Sequence, residues 1–139
     1  MPEQFLYEQL DTLSNFGMLK KEMPNSITQN LSPVFELREY QTDAFARFIH
    51  CFNNNFPGKE NPLHLLFNMA IGSGKTLIMA GLILYLYENG YRNFLFFANS
   101  TNIIEKTRDN FLNPRATKYL FSGNIHIDGK SRGHRGRQF

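Results

Sequence analysis

The residues with the clearest potential for chemistry lie at positions 69–76, where the sequence reads M-A-I-G-S-G-K-T. Gly72 and Gly74 let the chain curl tightly, so backbone N–H groups can approach phosphate oxygens without Cβ clashes. Lys75 brings a positive charge to the β- and γ-phosphates, and the Thr76 hydroxyl is placed to coordinate Mg²⁺. The pattern therefore predicts a site for a nucleoside triphosphate with magnesium. Its predicted binding residues are Gly72, Ser73, Gly74, Lys75 and Thr76.

One position of this phosphate loop departs from the usual pattern, G-x-x-x-x-G-K-[ST], because Met69 stands where the first glycine is expected. The context that supports the motif is a strand before the loop and a helix after it, since the helix N-terminus adds a partial positive charge beside the anion. The alternative is an ordinary glycine-rich turn between a strand and a helix. Such a turn would give no reason for Lys75 and Thr76 to follow two spaced glycines directly.

Hydrophobic spacing divides the rest of the chain into helices and strands. Apolar residues that recur every three or four positions are typical of helices, and short apolar runs between turn-forming residues are typical of buried strands. The predicted helices cover residues 2–21 (ending near Gly17), 37–52, 75–89 and 101–112. The predicted strands cover 63–69 and 94–98, with 125–127 as a candidate third, and residues 22–33 and 53–62 are predicted to connect elements.

The order strand, phosphate loop, helix, strand, helix forms a βαβ unit, whose two strands are expected to be parallel with a right-handed crossover. The predicted fold class is therefore α/β, with helices flanking a parallel sheet. His64 lies in the first predicted strand and is expected in the core. Cys51 is the single cysteine, lies in an apolar run, and is expected to be a buried, unreactive thiol.

Length and composition favour one folded domain, because 139 residues with 42% hydrophobic content are unlike a disordered chain. No signal peptide opens the sequence, and no apolar run reaches the about 18 residues that span a bilayer, so we expect a soluble, cytoplasmic protein without a membrane partner. The net charge of +3 arises near the end, since all 12 acidic residues precede Lys130. This basic tail, residues 129–139, either binds phosphate backbones or is a solvated, disordered end.

Three segments together resemble motifs of superfamily 2 helicases, and in particular the motor subunits of restriction enzymes. Residues 69–76 resemble motif I in its M-A-x-G-[ST]-G-K-T form. Residues 37–41, L-R-E-Y-Q, resemble the L-R-x-Y-Q motif of the same group. Residues 94–104 resemble motif Ia of Res, the subunit of type III restriction enzymes. The three motifs follow the family's order, and the resemblance covers about residues 31–128.

The resemblance implies roles for residues outside the phosphate loop. Gln41 would recognise the adenine edge of ATP, because its amide can both donate and accept hydrogen bonds. Ser100, Thr101 and Asn102 would contact the backbone of double-stranded DNA. The alternative for Ser100 or Thr101 is plain capping of the following helix. The implied cofactors are ATP and Mg²⁺, and the implied protein partner is the methyltransferase (Mod) subunit.

In domain terms, the resemblance implies an incomplete RecA-like P-loop NTPase domain at 34–128. It follows an N-terminal helix and connector at 1–33 and precedes the tail at 129–139. The acidic DExH motif, a second RecA-like domain and a nuclease domain are not recognisable in this sequence. After Asp109 the only acidic residue is Asp128, which has no following glutamate. We therefore expect a truncated or frameshifted motor, inactive by itself. The open alternatives are an inactive remnant and a P-loop protein of another class, such as a kinase or chaperone-type ATPase.

Overall fold

The computed structural model describes residues 4–127. Its five helices are α1 (Leu6–Asn15), α2 (Asn25–Thr28), α3 (Glu39–Asn53), α4 (Lys75–Glu88) and α5 (Thr101–Leu112). The four longer helices confirm the four helices predicted from the sequence. Helix α2 lies in a predicted connector and was missed because four residues are too short to display a helical period. Within the described range, no helix has both the length and the apolar character needed to cross a membrane.

The chain divides into two compact units. The first is formed by Met1–Met23 and Leu37–Ser73, and the second by Pro24–Glu36 and Gly74–Phe139, as far as the structure describes them. The first unit contains α1 and α3, and the second contains α2, α4 and α5.

The core of the first unit is built on the apolar face of α3. Phe45 and Ala46 are buried there, and Leu10 of α1 and Leu19 are buried in the same unit. Cys51 is also buried with a free thiol, and burial raises the pKa of that thiol. The prediction of a buried cysteine is confirmed. Low reactivity follows, because the thiolate is the reactive form and a raised pKa lowers its population.

Ion pairs join α1 to α3 in the first unit. The Arg47 guanidinium lies 2.8 Å from the Asp11 carboxylate and 2.7 Å from that of Asp43. Lys21 also approaches Asp43, at 3.6 Å. Partly exposed pairs contribute little each, and Arg47 links one carboxylate of α1 to one of α3.

Lys59 completes the carboxyl end of α3. Its ammonium donates hydrogen bonds to the carbonyl oxygens of Cys51 and Asn54, each at 2.7 Å. Helix ends leave carbonyl groups without intrahelical donors, and a cation there also interacts favourably with the helix dipole. Lys59 therefore joins the loop after α3 to the helix that precedes it.

We expect Lys59→Met to lower the free energy of unfolding by about 1 kcal/mol, because it removes the charge that caps α3 while keeping the aliphatic stem. Urea unfolding monitored by circular dichroism measures this loss. Lys20→Met is the matched control, since Lys20 is exposed and has no partner among the described residues. Equal stability of the two variants would contradict the capping role.

The core of the second unit lies between α2 and α4, which pack directly on each other. Ile27 of α2 is fully buried, and Ile78, Ala80 and Leu84 of α4 are almost fully buried. Helix α4 is apolar on most sides, which suits an element surrounded by protein. Helix α5, by contrast, has no buried residue within the described part of the chain.

Asn30 organises the polar part of the second unit. It is fully buried, and its Nδ2 donates to the carbonyl oxygens of Ser26 and His126 at 2.8 and 2.9 Å. Its Oδ1 accepts a hydrogen bond from the His126 N–H at 2.6 Å, and its own carbonyl accepts one from the Ser122 N–H at 2.8 Å. One side chain therefore ties the segment around His126 to the end of α2.

The two predicted strands are not formed, and the predicted parallel sheet is not confirmed. Residues 63–69 and 94–98 have no ladder partner in the described range, where the only pairing is an isolated antiparallel bridge between Leu31 and Phe121. A strand is defined by hydrogen bonds to a neighbour, which a local apolar pattern cannot supply. Residues 63–70 nevertheless alternate between half-buried and exposed, the period of an extended chain.

His64 corrects a further prediction. Its side chain is 73% exposed and pairs with Glu60 at 3.2 Å instead of lying in a core. The alternation accounts for this outcome, since Leu63 and Leu65 take the half-buried positions on either side of it.

Candidate residues near the end of the sequence have mixed outcomes. Residues 125–127 do not form the candidate third strand and are instead held through the hydrogen bonds of Asn30 to His126. Asp128 and the basic tail at 129–139 lie outside the described residues.

Candidate nucleotide-binding site

The phosphate loop has the backbone conformation that its glycines predict. Gly72 has φ of 76° and Gly74 has φ of 83°, both in the left-handed region that favours glycine. Gly74 is also the N-cap residue of α4, so the helix begins at Lys75 as the motif requires. Open space surrounds the position that a Gly72 Cβ would take, so glycine is needed there for its backbone angle and not for close packing.

The backbone of this loop presents several unused donors. Among the described residues, no acceptor is found for the N–H groups of Gly72, Gly74, Lys75 or Thr76. The last three belong to the start of α4, where N–H groups have no intrahelical partner. A short run of unused N–H groups next to a helix N-terminus suits the binding of an anion.

Ser73 adds a side chain without a partner. Its hydroxyl is buried and has no hydrogen-bond partner among the described residues. Buried polar groups in folded proteins almost always have partners. Ser26 and Asp43 also have an unpaired side-chain oxygen, but only that of Ser73 stands in the predicted binding loop. This orphaned hydroxyl therefore fits a phosphate-binding role.

Lys75 and Thr76 occupy the first turn of α4. Lys75 is exposed and forms no ion pair or side-chain hydrogen bond with the described residues, so its charge is available to a ligand. Thr76 is half-buried beside it. In the described range, no group of three His, Cys, Asp or Glu side chains could hold a metal, and the role of Thr76 as a magnesium ligand stays a prediction.

Gln41 lies in the first turn of α3 and is buried. Its Oε1 accepts a hydrogen bond from the Arg38 N–H at 3.0 Å, and its Nε2 donates to the Ser73 carbonyl at 3.0 Å. The Tyr40 hydroxyl donates to the same carbonyl, also at 3.0 Å. The structure thus brings the L-R-E-Y-Q segment into contact with the phosphate loop inside the first unit. The adenine role of Gln41 stays a prediction.

A cleft of about 1120 Å³ lies in the first unit beside this contact. It is lined by side chains of α1 and α3 and by residues 64–73, and Arg38 and Tyr40 are among its polar groups. Clefts that hold small ligands commonly measure about 300–1,000 Å³. The cleft has the volume of a small-ligand site, but Gln41, Gly74, Lys75 and Thr76 do not line it.

The predicted DNA-contact residues stand at the start of α5. Ser100 occupies the N-cap position but makes no side-chain capping hydrogen bond. Thr101 and Asn102 are exposed in the first turn. The capping alternative is therefore not realised by the Ser100 hydroxyl, and all three side chains remain free for another partner in the described structure.

Comparison with known proteins identifies the family of the chain. The family model for the Res subunit of type III restriction enzymes matches residues 34–137. The chain belongs to this family. It is 46% identical, over 106 residues, to a probable HindVIP Res subunit of a type III restriction-modification enzyme from Haemophilus influenzae. No solved structure matches the chain.

This Res-family chain spans about a fifth of its curated relative, since the match covers 74% of the chain but 21% of the relative. The match to the family model contains the phosphate loop, Gln41 and the start of α5. Family membership supports a RecA-like P-loop fold and a helicase-like ATPase ancestry, as the motif resemblance implied.

Sequence reasoning missed the contact between Tyr40 and Ser73. Tyr40 lies 33 positions before Ser73, so no local pattern links the two. The available signal was its position directly before Gln41 in the L-R-E-Y-Q segment, which places both side chains on the first turn of one helix.

Proposed function

We propose that this Res-family chain forms the ATP-binding part of a DNA-dependent ATPase or translocase of a type III restriction-modification system. The observation that carries the proposal is the phosphate loop with its unpaired N–H groups, the orphaned Ser73 hydroxyl and the unpaired Lys75 ammonium. These groups match the charge and hydrogen-bonding needs of a triphosphate.

Each loop residue has a distinct task in this proposal. The N–H groups of Gly72 and Gly74 and the hydroxyl of Ser73 bind the phosphates, and Lys75 neutralises charge on the β- and γ-phosphates. Thr76 supplies a hydroxyl ligand to Mg²⁺. The metal would neutralise phosphate charge, and hydrolysis of the triphosphate by the complete motor would supply the energy for movement along DNA. Gln41 would recognise adenine with the hydrogen-bonding capacity that its two internal contacts leave unused.

The proposed macromolecular partners are double-stranded DNA and a Mod methyltransferase subunit. Ser100, Thr101 and Asn102 would donate hydrogen bonds to phosphate oxygens of the DNA, which suits small polar side chains at a helix start. Such contacts orient the protein on DNA but do not distinguish one base sequence from another. We place this function in the cytoplasm.

Hydrolysis demands more than binding. A phosphate loop needs an acidic residue to complete the magnesium site and position water, and arginines that stabilise the transition state. The sequence offers no acidic pair after Asp109. We therefore expect the isolated chain to bind ATP without measurable turnover, with or without DNA.

Competition binding tests the proposal. A fluorescent ATP analogue with Mg²⁺ should bind the full chain, and unlabelled ATP should displace it at lower concentration than GTP because the two bases differ at the edge assigned to Gln41. Equal displacement by GTP would overturn the adenine role and leave the phosphate role intact. Absence of analogue binding, in a chain whose circular dichroism shows it folded, would overturn the proposed function.

A further inference from the structure

Two donors from neighbouring residues of α3 share one acceptor in the phosphate loop. The Tyr40 hydroxyl and the Gln41 amide each donate to the Ser73 carbonyl oxygen at 3.0 Å. Gln41 is itself held, because its Oε1 accepts from the Arg38 N–H. The Ser73 carbonyl therefore receives two hydrogen bonds from one rigid helical turn, all within the first unit.

Fixing this carbonyl also fixes the next N–H group. A peptide unit is planar, and in its trans form the C=O and the following N–H point in opposite directions. The Ser73–Gly74 bond is trans, since the single cis bond of the described chain is Asn61–Pro62. Directing the Ser73 carbonyl toward α3 thus directs the Gly74 N–H away from α3.

The loop needs such a restraint because of its composition. Gly72 and Gly74 flank Ser73, and both adopt positive φ. Glycine reaches these angles easily but also reaches many others, so a loop of this kind loses considerable entropy when it is ordered. Donors that hold its carbonyl before a ligand arrives reduce the entropy that binding must remove.

We propose that Tyr40 is a positioning residue of the phosphate loop. Its hydroxyl, together with the Gln41 amide, holds the Ser73 carbonyl so that the Gly74 N–H is presented to phosphate. The inference rests on the proposed function, because it concerns the same loop. Tyr40 acts through the backbone and needs no contact with the nucleotide base.

Tyr40→Phe tests this inference because it removes the hydroxyl and keeps the ring. Two probes are compared with Mg²⁺ present: ATP, and inorganic tripolyphosphate, which has no base. We expect both to bind about three- to tenfold more weakly, the effect of one hydrogen bond. Tyr119→Phe is the control, since that hydroxyl has no partner among the described residues. Gln41→Leu is a second variant and should weaken tripolyphosphate binding too.

The outcomes separate the two proposals. If the wild-type chain binds neither probe, the proposed function fails and this inference fails with it. If the wild-type chain binds both probes and Tyr40→Phe binds each of them as tightly as the wild type does, only this inference is overturned. Weaker binding of ATP with unchanged tripolyphosphate would also overturn it, because Tyr40 would then act on the base.

Discussion

Lys75→Ala should weaken the binding of Mg²⁺–ATP by at least tenfold, which corresponds to about 1.4 kcal/mol. Lys75 is exposed at the first turn of α4 and has no internal partner in the described structure, so its charge does not stabilise the fold. Removing this charge should therefore weaken ATP binding and leave the unfolding temperature unchanged. The measurement is a fluorescence titration of both chains, together with thermal unfolding of each.

A matched control separates this specific effect from a general loss of positive charge. Lys106 is also exposed on a helix and also lacks a partner among the described residues. Lys106→Ala changes the net charge by the same amount and should leave ATP affinity within about twofold, because Lys106 is not part of the phosphate loop and salt screens exposed charges. Equal weakening by both variants would show that binding is non-specific attraction.

Asn30→Leu should lower the free energy of unfolding by about 1–3 kcal/mol, because leucine leaves the buried Ser26 carbonyl without this partner and releases the part-buried backbone groups of His126. The groups affected are the carbonyls of Ser26 and His126 and the N–H of His126. Asn30 is fully buried, whereas its hydrogen bonds to the backbone of His126 are part-buried. Urea unfolding of the two chains measures the difference.

Asn93→Leu provides the comparison for this stability effect. Asn93 is exposed and has no hydrogen-bond partner among the described residues, so its replacement should change stability by less than about 0.5 kcal/mol. A small effect of Asn30→Leu, similar to that of Asn93→Leu, would mean that the segment around His126 is not held by Asn30.

Helices of this chain follow from local sequence. Apolar spacing placed α3 within a few residues of its observed bounds and α5 at its observed bounds. Segment length and the Asn89-Gly90 stop placed α4 within one residue of its end. The phosphate loop was also readable from local sequence, because two glycines, a lysine and a threonine at this fixed spacing are typical of phosphate binding. The positive φ of Gly72 and Gly74 agrees with that interpretation.

Strands could not be predicted as safely, because a strand depends on a neighbour that local sequence does not name. Residues 94–97 show the problem: they are apolar, yet Leu95 and Phe97 are 85% and 84% exposed in the described structure. At 63–69 hydrophobicity predicted a buried strand that is not formed, and it misplaced His64 in a core although exposure alternates along the segment. From the sequence alone, it could not be decided which of the two faces of this segment would be buried.

Long-range polar contacts were invisible for a related reason. Asn30 bonds to His126 across 96 positions, and Tyr40 bonds to Ser73 across 33. Nothing in the immediate sequence distinguishes these residues from a surface asparagine or tyrosine. Their roles emerge only when burial and distance are known.

The most direct test of the proposed site is a nuclear magnetic resonance titration of the ¹⁵N-labelled chain with Mg²⁺–ATP. The central claim is that the unpaired N–H groups of the phosphate loop bind the phosphates. We predict that the largest amide shifts occur at Gly72, Gly74, Lys75 and Thr76, and that Lys75→Ala removes them. If these four amides stay unmoved while ATP is present at millimolar concentration, the loop does not bind the triphosphate and the central claim is wrong.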